Sequence, residues 1–148
     1  MKKFQFSLDS VLGYRQQVLD GLQNEYAQAM EKVRRQEARK AAVEERYRQL
    51  NQKFREEAAV GISVADALSY EGGLRLLEQE IARETRVLQE YRKAAEEKRQ
   101  QMMQAHIDTT VLERLKEKKL QEYQKDVQKS DERFIDELVS ASRYAAAD

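Results

Sequence analysis

The sequence predicts an all-α protein, an antiparallel two-stranded coiled-coil hairpin with a short helical tip segment and a longer C-terminal arm. Three observations carry this. No proline interrupts the 148 residues, a long first stretch places apolar residues at alternating steps of three and four, and one glycine-bearing break separates it from a second stretch of the same kind. An apolar seam repeating roughly every 3.5 residues stays wet on a lone helix, so it demands a partner helix wound around it with a left-handed supercoil.

The first helix is expected to start near Leu8, with Ser7 or Asp9 as cap and Phe6 as a hydrophobic staple. Its seam reads Leu8, Leu12, Arg15, Leu19, Leu22, Tyr26, Ala29, Val33, Gln36, Lys40, Val43, Tyr47, Leu50 and Phe54, apolar at all but Arg15, Gln36 and Lys40. Gly61 suits a left-handed C-cap, and Ser63-Val64-Ala65-Asp66 is a variant capping box that opens a new helical segment. Gly72-Gly73 then marks a hinge, because adjacent glycines weaken a helix. The second arm carries Leu77, Ile81, Glu84, Leu88, Tyr91, Ala95, Lys98, Met102, Ala105, Thr109 and Leu112, followed by a stutter before Leu120, Tyr123, Val127, Ser130 and Phe134. The chain therefore divides as a single coiled-coil domain with arm one about 8–60, tip about 61–73 and arm two about 74–144.

Pairing Phe54 with Leu77 at the tip lays Val33 beside Lys98 and brings Leu8 level with Tyr123. The second arm then outruns the first by about 20 residues, and the surplus carries Phe134, Ile135, Leu138 and Val139. Burying one such Leu or Phe stabilises by about 1.5–3 kcal/mol, so the group either takes a partner or is disordered when alone. Gln36, Lys40 and Lys98 thin the apolar contact midway and help set register.

Composition narrows the function classes. Charged residues make up 36% of the chain and tryptophan is absent, which suits a solvated coiled coil rather than a thick globular core. Basic and acidic residues balance at 27 each and are interspersed, against the concentrated basic face of a nucleic-acid binder. No cysteine is present for a disulfide or thiolate metal site, which fits a reducing cytosol. The start, Met1-Lys2-Lys3-Phe4-Gln5-Phe6-Ser7, has no apolar run behind it as a secretory signal would, and no run of about 18 apolar residues spans a membrane.

Chemistry finds little footing. The lone His106 lacks a second histidine or any cysteine, and reads as a solvated helix position. Carboxylate pairs such as Glu44-Glu45, Glu56-Glu57 and Glu96-Glu97 have no water-excluding pocket in a two-helix structure to separate their pKa values. Phosphate-loop, dinucleotide and zinc-protease motifs are missing, so the expectation is no enzyme activity, no cofactor and no metal. Tyr26, Tyr47, Tyr91 and Tyr123 fall at core spacing and read as interior packing rather than base-stacking platforms.

The opening Phe4-Gln5-Phe6-Ser7-Leu8-Asp9-Ser10-Val11-Leu12-Gly13-Tyr14-Arg15 resembles the FxFxLxxVLxxR start of the flagellar export protein FliJ family. Gly61-Ile62-Ser63, Tyr70 and Leu77 around the tip, then Leu112-Glu113-Arg114-Leu115-Lys116, Tyr123 and Asp136-Glu137, follow in the family's usual order over nearly the whole chain. Gly72-Gly73 departs from it, standing where the family more often has bulky residues. The resemblance implies a non-enzymatic component of the flagellar type III export apparatus; a monomer is expected, with a domain-swapped or antiparallel dimer left open because two long amphipathic arms can pair within one molecule or between two. Such a protein is cytoplasmic and peripherally associated with the membrane at the flagellar base, and binds no nucleic acid.

Three partners follow from the same resemblance: the hexameric export ATPase, the cytoplasmic part of the export gate membrane protein, and escort chaperones. The ATPase-binding residues would be Phe4, Phe6, Leu8, Phe134, Ile135 and Leu138 at the terminal end. The gate-binding residues would be Val43, Tyr47, Leu50, Leu77, Glu80 and Glu84 in the tip half. Val43, Tyr47 and Leu50 equally serve to hold the arms together, so Glu80 and Glu84 separate the two readings better. A stand-alone coiled-coil chaperone or adaptor for export cargo is the alternative, motivated by the same apolar surplus.

Overall fold

The computed structural model describes residues 2–147. Two helices, α1 (Asp9–Val60) and α2 (Val64–Ala147), pack antiparallel as a coiled-coil hairpin, and no strand occurs among the described residues. The connection is short. Gly61 takes φ +109° while its N–H bonds the Glu57 carbonyl at 3.0 Å, a turn that only glycine makes without strain. Ser63 caps α2: its hydroxyl accepts from the Asp66 N–H at 3.1 Å and its carbonyl from the Ala67 N–H at 3.0 Å. Both were legible as caps.

The predicted hinge is absent, since α2 runs unbroken through Gly72 and Gly73. Two glycines weaken a helix by about 1 kcal/mol each relative to alanine, which packing against α1 outweighs. At Gly73 the packing is close, because an added Cβ would stand 3.1 Å from Leu50 Cδ2 and that side chain would have to shift by a few tenths of an ångström. With the turn confined to Gly61-Ile62-Ser63, the helices meet in a register about one heptad away from the predicted one. Phe54 stacks edge-on against Tyr70 at 5.2 Å, not against Leu77, and Lys98 reaches Glu25 rather than Val33.

The chain forms two units. In the first, Gly21–Met102, a core of Val33, Leu88 and Ala95 is walled by Ala29, Met30 and Tyr91. Gln36 is only 2% exposed, and its amide donates to the Glu84 carbonyl at 3.0 Å and to the Glu84 carboxylate. Arg46–Glu80 (2.6 Å), Arg92–Glu37 (3.2 Å) and Lys98–Glu25 (2.9 Å) tie the helices at their exposed margins. Each exposed pair adds little stability, about 0–1 kcal/mol, but opposite charges in facing positions disfavour other registers.

In the second unit, formed by the chain up to Asp20 and from Met103 onward, Leu12 and Ala105 are buried with Thr109. The Thr109 hydroxyl donates to the Ala105 carbonyl at 2.8 Å and lies 3.4 Å from that of Arg15. The seam on α2 continues through half-buried Leu112, Lys116, Leu120 and Tyr123, whose consecutive steps of four are the predicted stutter. Lys116 lays its stem along the seam and meets Asp9 at 2.8 Å. Ahead of α1, the segment from Lys2 turns back over α2: Phe4 sits 5.6 Å from the Tyr123 ring, and the Tyr123 hydroxyl donates to the Lys2 carbonyl. This segment lengthens the cover of α2 beyond the start of α1, so the surplus keeps nearly its predicted length despite the shifted register.

Candidate functional site

The unit holding the chain ends carries a run of exposed apolar residues on α2. Every residue from Gln128 to Ala147 is exposed, including Phe134 (62%), Ile135 (56%) and Leu138 (54%). Val127, Phe134 and Leu138 continue the heptad stripe on which Leu120 and Tyr123 are covered, so α2 carries its seam beyond the described residues that cover it. Charges of both signs, Lys129, Asp131, Glu132, Arg133, Asp136 and Glu137, are interspersed with these residues and exposed. Phe4 and Phe6 are half-buried and Leu8 is 38% exposed. Together with Leu115, Lys119 and Tyr123 they line an open groove of about 630 Å³ in the same unit. The six residues expected for ATPase binding thus divide into a half-covered N-terminal group and a bare C-terminal group.

The residues expected for gate binding lie in the other unit and are mostly engaged in pairing the helices. Val43 is 5% exposed and offers a partner almost no surface. Tyr47 is half-buried and its hydroxyl donates to Glu78 at 3.2 Å, a bond that raises its pKa, with burial adding to the effect. Leu50 is half-buried against Gly73, and Leu77 is half-buried. Glu80 is held by Arg46 and Glu84 by Gln36, so neither carboxylate is free in this state. Polar side chains at these positions therefore also link the two helices, a role that their charge alone did not suggest.

Two features were not foreseen from the seam. One is the buried amide of Gln36 with its carboxylate partner. The other is an outward apolar group at the start of α2, Val64 (77% exposed), Leu68 (62%) and Leu76 (67%), which a search for apolar residues four apart on the solvent face finds directly. His106 is exposed, and no cluster of three or more potential metal ligands occurs among the described residues. Among those residues no helix is long and apolar enough to cross a membrane.

The fold is an α-helical hairpin with open apolar and charged faces. A family model described as the flagellar FliJ protein matches residues 4–147, and the chain belongs to that family, a component of the flagellar export apparatus. The comparisons with curated proteins and with solved structures found no match.

Proposed function

We propose that this chain is the stalk-like partner of a hexameric flagellar export ATPase, docking through the unit that holds its termini and promoting assembly and turnover of the ring. The observation that carries the reading is the bare stripe of Phe134, Ile135 and Leu138, which continues a coiled-coil seam and is exposed throughout. Phe4, Phe6 and Leu8 extend the docking surface on the same unit.

The unit formed by Gly21–Met102 binds the cytoplasmic part of the export gate membrane protein through Tyr47, Leu50, Leu77, Glu80 and Glu84, with Val43 supporting that face from beneath. Escort chaperones complete the partner set. The chain performs no chemistry of its own, and it works in the cytoplasm, held at the membrane face by the gate. Mixing the chain with its cognate ATPase tests the reading: hexamer formation and ATP turnover should both rise, and no change in either refutes it.

The same exposed stripe favours a second reading, a stand-alone chaperone or adaptor for export cargo. Truncation after Lys129 separates the two. Loss of ATPase binding with client protection intact supports the stalk, whereas loss of client protection with ATPase binding intact supports the chaperone.

A further inference from the structure

The outer face of α2 in its first turns is apolar where a two-helix structure should be solvated. Val64, Leu68, Gly72 and Leu76 follow one another at steps of four, forming a ridge of the kind by which helices interlock. Three of them are large and more than 60% exposed. Gly72 is the notch in the ridge. An added Cβ there would meet nothing, so no contact within the chain requires the glycine, in contrast to Gly73 with Leu50 against it. Ala65 and Ser69 on the same side are also small and exposed, so a second backbone can approach closely.

We infer that this face pairs with the same face of a second copy of the chain, antiparallel, about a two-fold axis at Gly72. The spacing is self-complementary. At 1.5 Å per residue Leu68 and Leu76 each lie about 6 Å along the helix from Gly72, so the two-fold sets Leu68 against Leu76 of the second copy, and does so twice. The charges agree. Arg75 and Glu71 occupy one edge of the face, both are exposed, and neither makes an ion pair among the described residues. An antiparallel two-fold apposes like edges, bringing Arg75 and Glu71 of the second copy to about 3 Å of each other along the axis. Two symmetric ion pairs then frame two symmetric leucine contacts. Three helical turns offer less than the roughly 800 Å² per partner of a standard stable interface, so the pairing is weak and reversible. It uses neither the terminal stripe nor the residues assigned to the gate.

The chain has no cysteine, so single thiols can map the contact in the full-length protein. Gly72→Cys lies on the proposed axis, where the Cα separation suits a disulfide, and its Cβ enters open space. Gln79→Cys is as exposed, but its symmetry mate stands about 21 Å away along the helix. Under mild oxidation Gly72→Cys should cross-link at least about tenfold faster than Gln79→Cys. A mixture of Leu68→Cys with Leu76→Cys should cross-link faster than either alone. Sedimentation of the unmodified chain should show mass rising with concentration, reduced in Arg75→Glu and regained in the exchange Arg75→Glu with Glu71→Arg. Equal cross-linking at positions 72 and 79 overturns the two-fold. A monomer at every concentration, with no cross-linking advantage at Gly72, overturns self-pairing and leaves the ridge to a helix of a different protein.

Discussion

Gln36→Ala and Glu84→Ala, alone and together, probe the polar contact at the centre of the first unit. Gln36 is 2% exposed, and its amide is satisfied by the Glu84 carbonyl at 3.0 Å and by the Glu84 carboxylate. A hydrogen bond to a charged group contributes about 1.5–3 kcal/mol, and the half-exposed position of Glu84 brings this towards the lower end. Glu84→Ala leaves the amide with its bond to the carbonyl, for an expected loss of about 1–2 kcal/mol. Gln36→Ala removes both bonds and leaves space in the seam, for about 2–3 kcal/mol. Because both single changes break the same carboxylate bond, the double variant should lose less than their sum by about 1–2 kcal/mol. Urea unfolding followed by helical circular dichroism measures all four proteins. A coupling below about 0.5 kcal/mol refutes the reasoning. The same series bears on gate binding: loss of gate affinity in Glu84→Ala but not in Gln36→Ala assigns Glu84 a direct contact beyond its structural role.

Three further outcomes follow from the packing. Leu88→Ala, at a position 2% exposed beside Val33 and Ala95, should lower unfolding free energy by about 2–5 kcal/mol in the same assay. Gly72→Ala, measured at concentrations where the chain is monomeric, should stabilise by up to about 1 kcal/mol, while Gly73→Ala gains less because Leu50 must yield; equal gains would contradict the close approach. Tyr70 donates its hydroxyl to Glu57, and that bond, with burial second, pushes its pKa from 10.0 up to about 12. The folded state thus favours neutral tyrosine: the contribution is present in full below pH 10 and is lost as pH rises towards 12. Stability of Tyr70→Phe should lack this loss, and a Tyr70 that titrates with ordinary tyrosines in a difference absorbance titration refutes the assignment.

The caps and seams were legible because each is a local pattern with one physical meaning. Gly61 had to take positive φ to end α1, Ser63 had to cap α2, and Leu12, Val33, Val43, Leu88, Ala95 and Ala105 all proved buried where heptad spacing put them. The stutter after Leu112 was visible for the same reason, as was the surplus stripe of Phe134 and Leu138. The candidate gate residues were less legible. Spacing distinguishes a seam residue from a solvated one, but Glu84 falls at core spacing and Glu80 beside it, and a carboxylate at either place faces a partner protein or the facing helix. Only Arg46 and Gln36 in place across from them decided which contact they make in this state.

Sequence alone determined that the chain makes two amphipathic helices, where they are capped, and that the second carries more apolar seam than the first covers. Each follows from neighbours a few residues apart along one helix. Tertiary structure decided the register, the continuity of α2 through Gly72-Gly73 and the return of Phe4 onto Tyr123. A heptad seam looks the same after a shift of seven residues, so periodicity cannot choose among registers. The choice falls to the length of the turn at Gly61-Ile62-Ser63 and to contacts such as Gln36 with Glu84 and Phe54 with Tyr70, which exist only when the two helices stand side by side.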